Sequence, residues 1–146
     1  MKFTEMITSS EIVITDLDKN FDFEVNKLCY SSADVEKNDV FFAIKGYRTD
    51  GNEYIPDAIN RGAMAVITDS EAHMKDPRTY YVTDCRKTMA ERSSTFYGMP
   101  SRKLKMVGVT GTNRKTTVTN IIYDVLQSLG HKSGLIGTNG NYINKR

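Results

Sequence analysis

Residues 104–117 read Leu-Lys-Met-Val-Gly-Val-Thr-Gly-Thr-Asn-Arg-Lys-Thr-Thr, and no other stretch of the 146-residue chain restricts its fold so sharply. The apolar run from Leu104 to Val109 predicts a buried strand. A glycine-containing turn then delivers Lys115-Thr116-Thr117 to the start of a helix running to about Leu129. That order of strand, loop and helix suits a triphosphate. Backbone N–H groups and the helix N-terminus face the anion, the lysine reaches the outer phosphates, and the hydroxyl after it holds Mg²⁺. Gly111, Thr112, Asn113, Arg114, Lys115, Thr116 and Thr117 are therefore the candidate nucleotide-binding residues, with Thr116 the candidate metal ligand. Glycine normally precedes the lysine, because it allows the backbone close to phosphate and adopts dihedrals that a Cβ resists. Arg114 stands there instead. Holding a bulky residue in such a conformation costs about 1–3 kcal/mol, so the sequence predicts weak or absent ATP binding, improved by Arg114→Gly.

Hydrophobic content of 39%, charged content of 26% and only 3 prolines fit a globular chain and exclude a disordered one. Twenty basic and 18 acidic residues leave a net charge of +2, which gives no reason to propose nucleic acid or an anionic membrane as partner. Cys29 and Cys85 lack metal-ligand spacing and are too few for a disulfide framework, so two reduced thiols are expected. No apolar stretch approaches bilayer length, and Met1–Met6 lack the apolar core of a secretory signal. A cytoplasmic location is expected.

Strand-like and helix-like segments alternate along the chain, which predicts an α/β architecture. Ile12-Val13-Ile14, Phe23–Tyr30, Val40–Ile44, Ala63–Ile67 and Tyr80–Val82 are β-prone. Tyr54–Arg61 reads as a helix ended by Gly62. Asp84 is placed to cap another whose inward stripe is Cys85, Met89, Ser93 and Phe96-Tyr97, stopped by Gly98 and Pro100. Gly98–Arg102 is the convincing linker, giving a first domain over 1–99 and a second over 100–146. The second supplies one β-α-β unit, closed by Ser133–Gly137 and a short tail. Parallel sheets normally need several such units, so further elements are expected beyond Arg146, with self-association through the incomplete part.

Three segments in order carry a family resemblance. Gly108-Val-Thr-Gly-Thr-Asn-Arg-Lys-Thr-Thr117 resembles the ATP loop of the Mur ligases, whose usual core is TGTNGKTT. Asp39–Ile59 with Gly62-Ala63 resembles their amino-terminal domain, which holds the UDP end of the substrate. Gly134-Leu-Ile-Gly-Thr138 with Gly140-Asn141-Tyr142 is similar to the segment after the first ATP-domain helix. The likeness covers about Phe23 to Tyr142 and is greatest for the tripeptide-forming branch of the family.

The resemblance implies a small α/β substrate-binding domain followed by the first β-α-β unit of a P-loop ATP-binding domain. It implies ATP and Mg²⁺ as cofactors. The implied reaction is ligation of diaminopimelate or lysine to UDP-N-acetylmuramoyl-L-alanyl-D-glutamate in peptidoglycan synthesis. Tyr30 and Ser32 fall where the family contacts the UDP-sugar, and Tyr47, Arg48 and Thr49 on its second uridine-side segment. Arg86 matches an arginine common where a helix opens with Asp-x-Arg. The chain departs from the family at Ala33, where Arg is usual, at Lys37-Asn38, where Pro-Gly is usual, and at Glu91, Arg92 and Asn139. The family's Mg²⁺-binding acids, its carbamylated lysine and its carboxy-terminal domain have no counterpart here. After Thr117 the chain offers one acid, Asp124. The 146 residues alone are therefore expected not to catalyse ligation. The alternative is a non-catalytic remnant or UDP-sugar-binding module that does not use ATP. An independent P-loop NTPase is disfavoured, because the loop comes too late for a sheet to follow it.

Overall fold

The computed structural model describes residues 1–7, 12–14 and 21–144, the strand over 12–14 by its backbone alone. Two compact units are present, Met1–Leu104 and Lys105–Arg146.

The first unit is built on a five-stranded sheet. Its strands are β1 (Ile12–Ile14), β2 (Leu28–Cys29), β3 (Val40–Ala43), β4 (Ala65–Thr68) and β5 (Thr79–Val82), in the order β1-β5-β4-β3-β2. β2 to β5 run parallel in chain order, and β1 joins the far edge antiparallel to β5. β3 and β4 are buried at every position, as a parallel sheet covered on both faces requires. Their alternating side chains divide between two cores. Val40, Phe42, Ala65 and Ile67 pack with Phe3 and Met6 of α1 (Phe3–Met6) and with Cys85 of α3 (Cys85–Phe96). Phe41, Ala43 and Val66 pack with Ile55 and Ala58 of α2 (Ile55–Arg61). The result is a three-layer α/β/α unit.

Local chemistry fixes both longer helices. Pro56 lies in the first turn of α2 and Arg61 in the last, and Gly62 ends the helix at φ 114° with its N–H on the carbonyls of Ala58 and Ile59. A Cβ at Gly62 would stand 3.0 Å from the Lys37 backbone, so close approach and left-handed backbone both demand glycine there. α3 opens at Asp84, whose carboxylate accepts the Lys87 N–H at 2.8 Å. Asp69, just past β4, accepts the Cys85 N–H at 3.2 Å. This acid, one residue beyond β4, thus ties α3 to the sheet.

In the second unit, α4 (Lys115–Ser128) follows the loop as expected, and β6 (Gly134–Gly137) pairs antiparallel with β7 (Gly140–Ile143). Two local expectations are corrected. Residues 104–109 were expected as a buried strand; they have no strand partner among the described residues, and Leu104, Met106 and Val107 are exposed. The segment after Gly137, expected as a tail, is the second arm of a hairpin. A strand exists only against a neighbour, and β6 finds its neighbour in β7. No helix among the described residues is long and apolar enough to cross a membrane.

Candidate functional site

A cleft of about 780 Å³ opens in the first unit, lined along the segments that follow β2 and β3 and along one side of α3. The carboxyl ends of parallel strands are where open α/β sheets place ligands. The volume falls in the range of small-molecule sites.

The first wall is Tyr30–Ala33, which leaves the edge as soon as the two-residue strand β2 ends. Asp39 clasps both flanks of this wall. Its carboxylate is fully buried, and it accepts the Glu36 N–H at 2.7 Å, the Cys29 thiol at 3.5 Å and the Asn26 side-chain amide at 3.0 Å. The Lys27 ammonium lies 3.6 Å away and balances the charge. A buried carboxylate needs such partners. Burial first, then the Asp39 charge, pushes the Cys29 thiol up to about 12, so it stays neutral. The Ser32 hydroxyl bonds to the Asp57 carboxylate and is the main cause holding that acid below its ordinary value, ahead of Arg61.

The second wall is the turn after β3. Gly46 N–H donates to Thr49 O at 3.0 Å, and Gly51 N–H to Ile44 O at 3.1 Å. A Cβ on Gly51 would lie 2.5 Å from that same oxygen, so only glycine lets the chain turn back this closely. Asp50 accepts from both the backbone and side-chain N–H groups of buried Asn52, which hold its carboxyl below the ordinary range. Asn52 in turn accepts the Thr68 hydroxyl at 2.5 Å. α3 supplies the third wall through Arg86, Met89, Ala90 and Ser93, over Phe41 and Ile44. Arg86 Nη2 donates to Lys45 O at 3.0 Å, joining the helix to the second wall.

Of the residues expected to contact a UDP-sugar, Tyr30, Ser32 and Thr49 meet at this cleft. Tyr47 and Arg48 lie on the same turn but outside the lining, and Tyr47 is wholly exposed. Sequence reasoning missed the α3 contribution. Its signal was there: Arg86, Met89 or Ala90, and Ser93 recur at the spacing of one helix face.

In the second unit, Gly111–Arg114 form the loop into α4, whose first turn carries Lys115, Thr116 and Thr117. Gly111 has φ 142° and Arg114, directly before the helix, φ 60°. The Lys115 ammonium donates to the carbonyls of Gly111 and, at 3.3 Å, Thr112. Thr116 is half-buried, and its own carbonyl accepts from Asn120 at 2.6 Å and from Thr119 at 3.0 Å. An ammonium beside a loop, a hydroxyl and the first N–H groups of a fourteen-residue helix, which have no intrahelical acceptor, make a donor set that fits a polyphosphate. Arg114 is the one element that does not, since its left-handed backbone is the conformation glycine would take.

The model of the Mur ligase family, catalytic domain, matches residues 24–102, over half of the chain. The chain belongs to the Mur ligase family. It is 42% identical over 150 residues to the UDP-N-acetylmuramoyl-L-alanyl-D-glutamate--2,6-diaminopimelate ligase of Clostridium tetani, an alignment spanning 100% of this chain and 30% of that protein. The enzyme of the same name from Bacteroides fragilis is 40% identical, over 98% of this chain and 30% of its own length. A solved structure of such a ligase superposes with a TM-score of 0.74 at 25% identity, covering 98% of this chain and 28% of that one. The MurF ligase of Thermotoga maritima, solved in complex with ADP, superposes with a TM-score of 0.53 at 31% identity over 70% of this chain and 23% of its own. The chain thus spans about 30% of the length of the curated relatives it matches.

Proposed function

We propose that this chain is the amino-terminal, substrate-holding part of a cytoplasmic ligase that adds diaminopimelate or lysine to UDP-N-acetylmuramoyl-L-alanyl-D-glutamate in peptidoglycan synthesis. The observation that carries this reading is the convergence of Tyr30, Ser32 and Thr49 on one cleft beyond β2 and β3, in a chain of this family. In this reading the first unit binds the UDP-sugar, with Tyr47 and Arg48, on the exposed turn of the second wall, as further uridine-side contacts. Gly111–Thr117 would hold the nucleotide, with Lys115 toward the phosphates and the Thr116 hydroxyl toward Mg²⁺. ATP supplies the phosphoryl group that activates a substrate carboxylate. The work of these residues is to bind and orient. The 146 residues by themselves are not expected to ligate, since past Thr117 they hold one acid to serve a metal. Exposed Met106, Val107, Ile121, Val125 and Leu129 favour self-association of this polypeptide, which sedimentation would detect.

Saturation-transfer NMR with UDP-N-acetylmuramoyl-L-alanyl-D-glutamate tests the cleft. Saturation of the sugar-nucleotide protons is expected, with weaker binding in Ser32→Ala. Absence of any transfer at millimolar ligand would end this reading. Arg114 favours one alternative, a UDP-sugar-binding module that does not use ATP. Calorimetry with ATP separates the two, since only the ligase reading retains ATP binding.

A further inference from the structure

We propose that Arg86 binds the diphosphate of the nucleotide-sugar held in the cleft, an inference that rests on the reading of the cleft given above. Among the described residues lining the cleft, Arg86 is the one with a charged side chain. Its surroundings there are hydroxyls (Ser31, Ser32, Thr49, Ser93) and apolar groups (Phe41, Ile44). A nucleoside diphosphate brings negative charge that hydroxyls alone do not neutralise, whereas a guanidinium offers a planar fork that fits it.

The guanidinium is also held in place. Its Nη2 is fixed 3.0 Å from Lys45 O, and one carbonyl leaves most of its five donors for another acceptor. The backbone that carries it is pinned on either side. Asp69 accepts the Cys85 N–H at 3.2 Å, and Asp84 accepts the Lys87 N–H at 2.8 Å. The charge is thus placed before the ligand arrives, which lowers the cost of ordering it on binding.

Arg86 also clamps the Lys45 turn, so a loss of binding could reflect either role. Uridine and UDP tell them apart, because both require the walls and only UDP carries phosphate. Titration of the whole 146-residue chain is expected to show Arg86→Met binding UDP about tenfold to a hundredfold more weakly, as for a lost hydrogen bond to a charged group. Uridine affinity should be unchanged. The salt dependence of UDP binding should flatten in the same variant. Arg86→Lys, which keeps the charge and loses the fork, should fall between. It serves as the deciding variant, by the same UDP-to-uridine comparison, if circular dichroism shows that Arg86→Met does not fold. Equal losses for uridine and UDP would make Arg86 a clamp only and overturn the proposal, as would unchanged UDP affinity. Binding of neither ligand by the unaltered chain would instead remove the cleft reading itself.

Discussion

Asn38 and Arg114 stand where the family usually places glycine, and both adopt left-handed backbone, with φ of 67° and 60°. Asparagine enters this region readily because its short amide can bond locally, whereas arginine gains no such relief. The first substitution is therefore mild and the second is not. Left-handed backbone costs a residue with a Cβ roughly 1–2 kcal/mol, and the Arg114 side chain emerges beside Lys115, whose ammonium already rests on the loop carbonyls. Arg114→Gly is expected to tighten ATP binding about tenfold, equivalent to about 1.4 kcal/mol. Calorimetry giving one affinity for both proteins would show that the loop absorbs the side chain without penalty. Arg114 was conspicuous in the sequence because a loop of this kind specifies each position. The Asp39 clasp was not, since nothing in Asp-Val-Phe-Phe announces that its carboxylate will collect donors from Asn26, Cys29 and Glu36.

Single elements show why legibility was uneven. α2 and α3 could be read because their limits are written locally, in Pro56, Gly62 and Asp84. β3 and β4 could be read because burial on both faces leaves unbroken apolar runs. Residues 104–109 carry the same kind of run, yet pairing depends on a partner that no local pattern supplies. The cleft was half legible for the same reason. Its two loop walls lie between Tyr30 and Tyr54, but the α3 wall is set by how the helix packs on the sheet. β5 adds a testable detail. The Thr79 hydroxyl is buried and has no hydrogen-bond partner among the described residues. Thr79→Val keeps the β-branched shape and removes an unmet polar group, so stability should rise by about 1 kcal/mol. A drop in the urea midpoint would mean that the hydroxyl is satisfied after all.

Across the whole molecule, the titrating groups set a stability plateau with two edges. Asp76 is held below its ordinary 3.8 mainly by the Arg78 side chain, Asp22 mainly by the Thr4 N–H, and Asp50 by the Asn52 N–H. A depressed carboxylate stabilises the fold above its ordinary value, and that contribution disappears as pH falls through the lower native one. The alkaline edge has the opposite sign. Burial raises Cys29 and Cys85 from 9.0 to about 12, with Asp39 the next cause at Cys29 and Asp69 at Cys85. Above about pH 9 the unfolded chain releases these thiol protons and the native chain does not, so stability should decline from there toward about 12. Urea unfolding across this window should show the decline, and replacing both cysteines with alanine should flatten it. An unchanged slope in the double variant would assign the alkaline edge to other groups. The order of the walls along the chain carries a consequence for synthesis. The two loop walls are translated before residue 55, but the cleft lacks a side until Arg86 to Ser93 have been made and α3 has docked. A nascent polypeptide therefore gains its complete cleft late, and an unfinished one released by the ribosome before that point would lack the third wall.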